Sequence, residues 1–298
     1  MAERMTATLT TWTGVAIATL VCWATVARGQ DRPPRHEAPP PPVNPALPTL
    51  WIIGDSTVRN GQDTGNNGQW GWGNPIAHFF DTAKINVQNR ALGGTSSKTY
   101  RTIGPWDKVV AQIKPGDYLI MQFGHNDAGK PDDPTRARAT LHGNGEETVE
   151  IDNPITHKHE VVHTYGWYLR DYVAQAKAKG AAEVIICSPI PRNAWKDGKM
   201  ARNTAYGPVA AAAAKQAGAD FIDLNELAAE KYEAAGQDKT TATYFPEKEV
   251  VHTDWAGAVV NATCVVEGIK ALPDSGLAKY LRAGPPAGLD HPPMGKAR

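Results

Sequence analysis

A hydroxyl, an imidazole and a carboxylate stand at Ser56, His252 and Glu249, and together those three groups can carry acyl transfer. Ser56 follows the apolar run Leu50-Trp51-Ile52-Ile53 and the turn residue Gly54, the pattern of a buried parallel strand that stops at a reactive side chain. Ligands of open α/β sheets bind beyond the carboxyl ends of the strands, so a serine there meets substrate from a rigid backbone. Neutral imidazole at His252 can take the serine proton near neutral pH and return it to a leaving alcohol. Glu249, three residues earlier, can turn back to hold the ring, and Asp254 or Glu247 could do the same. Taken singly, a serine after a strand is more often a helix N-cap, and a histidine before a helix a capping or core residue. The presence of all the groups together favours chemistry.

A tetrahedral intermediate also needs donors aimed at its negative oxygen. Two further strand ends supply them, one followed by Gly93-Gly94-Thr95-Ser96 and one by Gly124-His125-Asn126-Asp127. The backbone N–H groups of Ser56 and Gly94 and the side-chain amide of Asn126 form the expected oxyanion site. Gly94 suits it because a missing Cβ lets the backbone approach a ligand closely. No Gly-x-Ser-x-Gly elbow is present, which argues against an ordinary α/β-hydrolase.

The elements that must position these groups follow from hydrophobic period and punctuation. Strands are expected at 50–53, 85–89, 118–123, 183–188 and 220–224, alternating with helices at about 74–82, 106–113, 165–179, 205–217, 226–235 and 255–272. Alternation of this kind implies a parallel sheet with helices on both faces. Residues 60–73 read as a loop beside the site, and 128–164 as a long irregular connection, a length usually reserved for function.

The ends read differently. Residues 1–29 hold the apolar run Trp12 to Ala27 and resemble a secretory signal peptide, with cleavage after Ala27 or Gly29, rather than a retained membrane anchor. Residues 30–48 form a proline-rich linker, 49–273 the catalytic domain and 274–298 a flexible C-terminal tail. Lys and Arg number 31, as do Asp and Glu, and this balance points away from nucleic acid as a partner. Once the leader is removed only Cys187 and Cys264 remain, both within apolar segments and expected as buried free thiols. A secreted or periplasmic location without stable membrane association follows, and the oligomeric state is left open.

Gly54-Asp55-Ser56, Gly94, Gly124-His125-Asn126-Asp127 and Glu249-x-x-His252 stand in the order of the four motif blocks of SGNH (GDSL-type) hydrolases. The chain resembles, within them, rhamnogalacturonan acetylesterases and related carbohydrate esterases. Residues 91–100, Phe123 to Asp127, Tyr165 to Arg170, Phe221 to Asn225 and His252-Thr253 carry that closer likeness. The resemblance implies a flavodoxin-like three-layer α/β/α sandwich with a five-stranded parallel sheet, no cofactor and no metal. It implies Ser56 as nucleophile, His252 as base, and Ser56, Gly94 and Asn126 as the oxyanion site. The family usually has Asp where this chain has Glu249, so the third member is the position in question.

His159-Glu160-Val161-Val162-His163 matches the zinc-protease pattern of two helical histidines around a glutamate. Pro154 and Gly166 interrupt the helix such a site requires, and the segment is read instead as a polar loop entering a helix. For the substrate side, Trp72 is the choice among the loop tryptophans 70, 72, 106 and 195 for stacking on a sugar, and His125 lies within the third block. Lys98 and Arg192, with Arg101 nearby, could pair with uronic-acid carboxylates. The expected substrate is an acetylated plant cell-wall polysaccharide, pectic in character, and the expected activity is a serine acetylesterase working through an acyl-enzyme. A lipase or thioesterase of the same fold, or an inactive carbohydrate-binding homologue, are the alternatives.

Overall fold

The computed structural model describes residues 44–60 and 65–292. The expected leader and most of the expected linker lie outside the described residues. In chain order the elements are β1 (Thr49–Gly54), β2 (Asn86–Asn89), α1 (Ser97–Thr102), α2 (Pro105–Val110), β3 (Tyr118–Gln122), β4 (Thr148–Asp152) and β5 (His159–His163). They continue with α3 (Tyr165–Ala178), β6 (Glu183–Cys187), β7 (Trp195–Lys196), β8 (Lys199–Met200), α4 (Gly207–Ala217), β9 (Asp220–Ile222), α5 (Leu224–Ala235), α6 (Gln237–Thr243) and α7 (Trp255–Ala271).

Every residue of β1 is buried, as a strand covered on both faces requires. The main sheet has the order β2-β1-β3-β6-β9 and is parallel throughout. Alternate residues feed two cores. Leu50, Ile52, Ile120, Ile185 and Ile222 pack with residues of α5 and α7, whereas Trp51, Ile53, Leu119, Met121 and Ile186 pack with residues of α1 to α4. The result is a three-layer α/β/α sandwich of flavodoxin-like order. From β1 the chain moves to the neighbouring β2 on one side, whereas from β3 it moves to β6 on the other, and at such a reversal the loops diverge and open a crevice.

Register sets which loops share that crevice. Gly54 pairs with Gln122, so the residues after β1 and those after β3 leave the sheet side by side. A Cβ on residue 54 would lie 2.5 Å from the Gln122 carbonyl oxygen, which is why glycine ends this strand. At the opposite edge Asp117 fixes the two strands. Its buried carboxylate accepts from the Thr49 N–H and the Lys114 ammonium at 2.8 Å each, and from the Trp51 indole at 2.9 Å.

Four points differ from the expected elements or add to them. The helix expected at 74–82 is a single 3-10 turn, Ile76–Phe79, because Phe80 leaves it in an extended conformation and pairs with Leu281. The turn at 93–96 leads into α1, which Ser96 and Thr99 close with a reciprocal capping box. The segment 128–164, read as irregular, contains the antiparallel pair β4 and β5. The described part of the tail expected from 274 onward is held against the domain, with Leu277 buried, Arg282 N–H donating to the Phe79 carbonyl and the Trp255 indole donating to the Leu289 carbonyl. Cys187 and Cys264 are buried free thiols.

Candidate active site

The chain turns sharply after β1: the Asp55 carbonyl accepts from the N–H groups of Val58 and Arg59, and the Asp55 carboxylate from the Thr57 N–H and hydroxyl at 2.8 and 2.7 Å. Thr57 is gripped in turn by Gln122, whose own amide oxygen accepts from the Trp72 indole at 2.9 Å. The Ser56 hydroxyl is thereby held at the head of the turn, partly open to solvent.

His252 reaches it from the loop before α7. Its Nε2 lies 2.8 Å from Ser56 Oγ, and its Nδ1 lies 3.2 Å from Glu249 Oε2. The extra methylene of Glu249 relative to aspartate is absorbed by folding the side chain back on its own backbone, where Oε1 accepts from the N–H groups of Val250, Val251 and His252. Burial alone would raise the Glu249 carboxyl; the Val251 N–H, the His252 ring and the His252 N–H outweigh it and leave the pKa below the usual carboxylate value. Gln69 donates to Glu249 Oε2 at 2.7 Å. The same loop is fastened to the histidine loop by paired bonds, Trp70 N–H to the Thr253 carbonyl at 2.8 Å and Thr253 hydroxyl to the Trp70 carbonyl at 3.0 Å. The two alternative acids are engaged elsewhere: Asp254 caps α7 through the Gly257 N–H, and Glu247 is exposed beside Lys248.

Opposite the histidine lies the turn 92–95, tied to the end of β1 by the Leu92 N–H on the Gly54 carbonyl. Gly94 has φ +84°, a left-handed conformation that glycine adopts without strain. The N–H groups of Ser56 and Gly94 donate to no acceptor among the described residues. Asn126 Nδ2 donates to the Thr95 carbonyl at 2.8 Å, which leaves its second N–H for a ligand. Asp127, next along, accepts from the Ser97 N–H and hydroxyl, and burial pushes its carboxyl up to about 7 against those bonds. A hydroxyl, an imidazole, a carboxylate and amide donors on a second side make a constellation capable of acyl transfer.

Of the expected substrate residues, two are displaced by what they touch. Trp72 is completely buried with its indole on Gln122, so it is a core residue rather than a sugar platform. Lys98 is completely buried against Glu160, Nζ to Oε2 3.1 Å, and its charge is spent inside the fold. Arg101 is likewise paired, with Asp171. Arg192 is exposed near the histidine loop. His125 is partly exposed as a residue, yet both ring nitrogens are shielded and have no partner among the described residues; burial lowers its pKa, Asp55 opposes this, and the charges of Arg192 and His252 add to it.

The zinc-protease pattern fails on geometry. Residues 159–163 form β5, where histidines four apart are separated by about 13 Å, against about 6 Å along a helix. Glu160 is bound to Lys98, and the His163 ring stacks on Trp167 at 3.7 Å. The polar loop expected there is thus also corrected to a strand. Sequence reasoning missed Gln69, for an amide in a Gly- and Asn-rich loop carries no signal of a partner 180 positions away.

Comparison with known proteins agrees with this layout. The model of the GDSL-like lipase/acylhydrolase family matches residues 52–258. The rhamnogalacturonan acetylesterase of Emericella nidulans is 31% identical over 232 residues, covering 77% of this chain and 86% of that protein. A rhamnogalacturonan acetylesterase of Bacillus subtilis is 27% identical over 236 residues, covering 75% of this chain and 90% of its own length. The crystal structure of the Bacillus subtilis protein YxiM superposes with a TM-score of 0.60 at 27% identity, covering 76% of this chain and 56% of that one, so this chain spans little more than half of it.

Proposed function

Because the chain belongs to the GDSL-like lipase/acylhydrolase family and is by that membership a carboxylic ester hydrolase, we propose that it is a secreted serine acetylesterase acting on acetylated pectic polysaccharide. The observation that carries the reading is the 2.8 Å approach of His252 Nε2 to Ser56 Oγ, with Glu249 at the other ring nitrogen. His252 takes the Ser56 proton as Oγ attacks the acetyl carbonyl. Negative charge develops on the carbonyl oxygen, and the N–H groups of Ser56 and Gly94 and the Asn126 amide stabilise it. Collapse expels the sugar hydroxyl, protonated by His252, and leaves acetyl-Ser56; water activated by the same imidazole then releases acetate.

The names of the two matched acetylesterases support the acetyl group and the pectic polymer, and the chain covers most of their length. Among the described residues no helix is long and apolar enough to cross a membrane, and the signal-like sequence before them supports export. Acetate release from acetylated pectins, acetylated xylans and small acetyl esters tests the reading. Wild-type protein should release acetate and Ser56→Ala should lose at least about a thousandfold in kcat. Unchanged turnover in Ser56→Ala overturns it, and faster hydrolysis of long acyl chains than of acetate redirects it to a lipase or thioesterase.

A further inference from the structure

The segment 69–73 is held from two sides. Trp72 N–H donates to the Thr57 carbonyl at 3.0 Å and Gly73 N–H to the Val58 carbonyl at 2.9 Å, so its end lies along the turn that carries Ser56. Its start lies along the histidine loop, where both backbone groups of Trp70 are bonded to Thr253 and the buried Trp70 ring meets Trp255 edge to face, centroids 5.0 Å apart. These contacts fix the backbone between the serine and the histidine without help from the Gln69 side chain.

Gln69 uses that backbone to aim one amide. Asn60, four residues after Ser56, donates its Nδ2 to Gln69 Oε1 at 3.0 Å. The oxygen of the Gln69 amide is thus occupied on the Asn60 side, and Nε2 is turned to donate to Glu249 Oε2 at 2.7 Å. That same Oε2 faces His252 Nδ1, whose ring reaches Ser56 Oγ with its other nitrogen. The side chains close a ring from Ser56 through His252, Glu249, Gln69 and Asn60, and the main chain completes it back to Ser56. Glutamate has one more rotatable bond than aspartate between its backbone and its carboxylate, so its carboxylate has more ways to turn from the imidazole. Oε1 is occupied by the N–H groups of Val250, Val251 and His252, whereas among the described residues only Gln69 and the imidazole bond to Oε2. A carboxylate orients an imidazole well only when its own rotamer is locked by further hydrogen bonds.

We propose that Gln69 is a positioning residue for acyl transfer: it holds Glu249 Oε2 against His252 Nδ1, and Asn60 holds Gln69 in the orientation that lets it do so. The proposal rests on the reading of Ser56 as nucleophile and His252 as base.

Steady-state hydrolysis of a small acetyl ester by the full-length protein tests it. Gln69→Met keeps the length of the side chain and removes the donor; it should lower kcat about tenfold to a hundredfold with KM little altered. Asn60→Ala should give a smaller loss of the same kind, and the double variant should be no worse than Gln69→Met alone, because both changes open one link. In a Glu249→Gln background Gln69→Met should cost almost nothing more. A residue that merely propped the loop would behave otherwise: its loss would multiply with that of Glu249→Gln or appear as a raised KM, and either result overturns the proposal. Unchanged kcat in Gln69→Met overturns it too. A second readout is free of hydrolysis. The low-field proton resonance of His252 Nδ1–H, assigned by its loss in His252→Ala, should move upfield in Gln69→Met as the bond to Glu249 loosens, and an unmoved resonance counts against the proposal. Wild-type protein that turned over no ester would sink the esterase reading, while the resonance would still report whether Gln69 orients Glu249.

Discussion

At the scale of single residues, Glu249 shows how a longer acid fits a place usually held by a shorter one. Its Oε1 satisfies three backbone N–H groups while Oε2 faces both the imidazole and Gln69, so neither oxygen is idle. Replacing it by glutamine removes the charge that stabilises the imidazolium and leaves shape nearly unchanged. Glu249→Gln should lower kcat by about a hundredfold to ten-thousandfold with KM little altered, read from steady-state hydrolysis of a small acetyl ester. A change confined to KM would mean that Glu249 only shapes the pocket. Asp127 makes a different prediction. Burial raises it from 3.8 to about 7, so the folded chain holds a proton that the unfolded chain releases. Its contribution to stability is fullest below pH 3.8 and declines as pH rises toward 7. Asp127→Asn should lack that decline, and urea unfolding across pH 4 to 8 measures it; parallel curves for the two proteins would refute the assignment.

Elements explain what was and was not legible in the sequence. Apolar runs and hydrophobic period between turn residues revealed the five strands, the residues just past three of them pointed to Ser56, Gly94 and Asn126, and the segment before the last helix pointed to His252. Burial of polar side chains was hidden. Trp72 and Lys98 sit in polar stretches and look like loop residues, yet the bonds that bury them go to Gln122 and Glu160, 50 and 62 positions away. β4 and β5 were hidden for a related reason: outside a covered sheet their charged residues mask the alternation that marks a strand. Asp117, directly before β3, carries no sequence mark of its role as the clasp between β1 and β3. Asp117→Ala leaves the Thr49 N–H and the Trp51 indole buried without partners, and should cost about 2 to 5 kcal/mol in chemical denaturation. Asp117→Asn should recover part of this, because its amide oxygen can still accept.

For the whole molecule, the last described residues matter more than their composition suggests. Leu277 is buried, and Leu281 and Leu289 pack against the core that also holds α7. Ending the chain after Ser275 should lower stability by about 3 kcal/mol or more, seen as an earlier thermal transition. An unchanged transition would mean that these leucines gain nothing by their contacts.

The sheet keeps its clasp and the proposed reaction centre on opposite rims: Asp117 gathers the strands where they begin, and Ser56, Gly94 and Asn126 follow the strands where they finish. A protein engineer seeking a heat-tolerant catalyst can therefore rework the far rim, shortening its turns or adding cross-links, while the reacting groups keep their alignment.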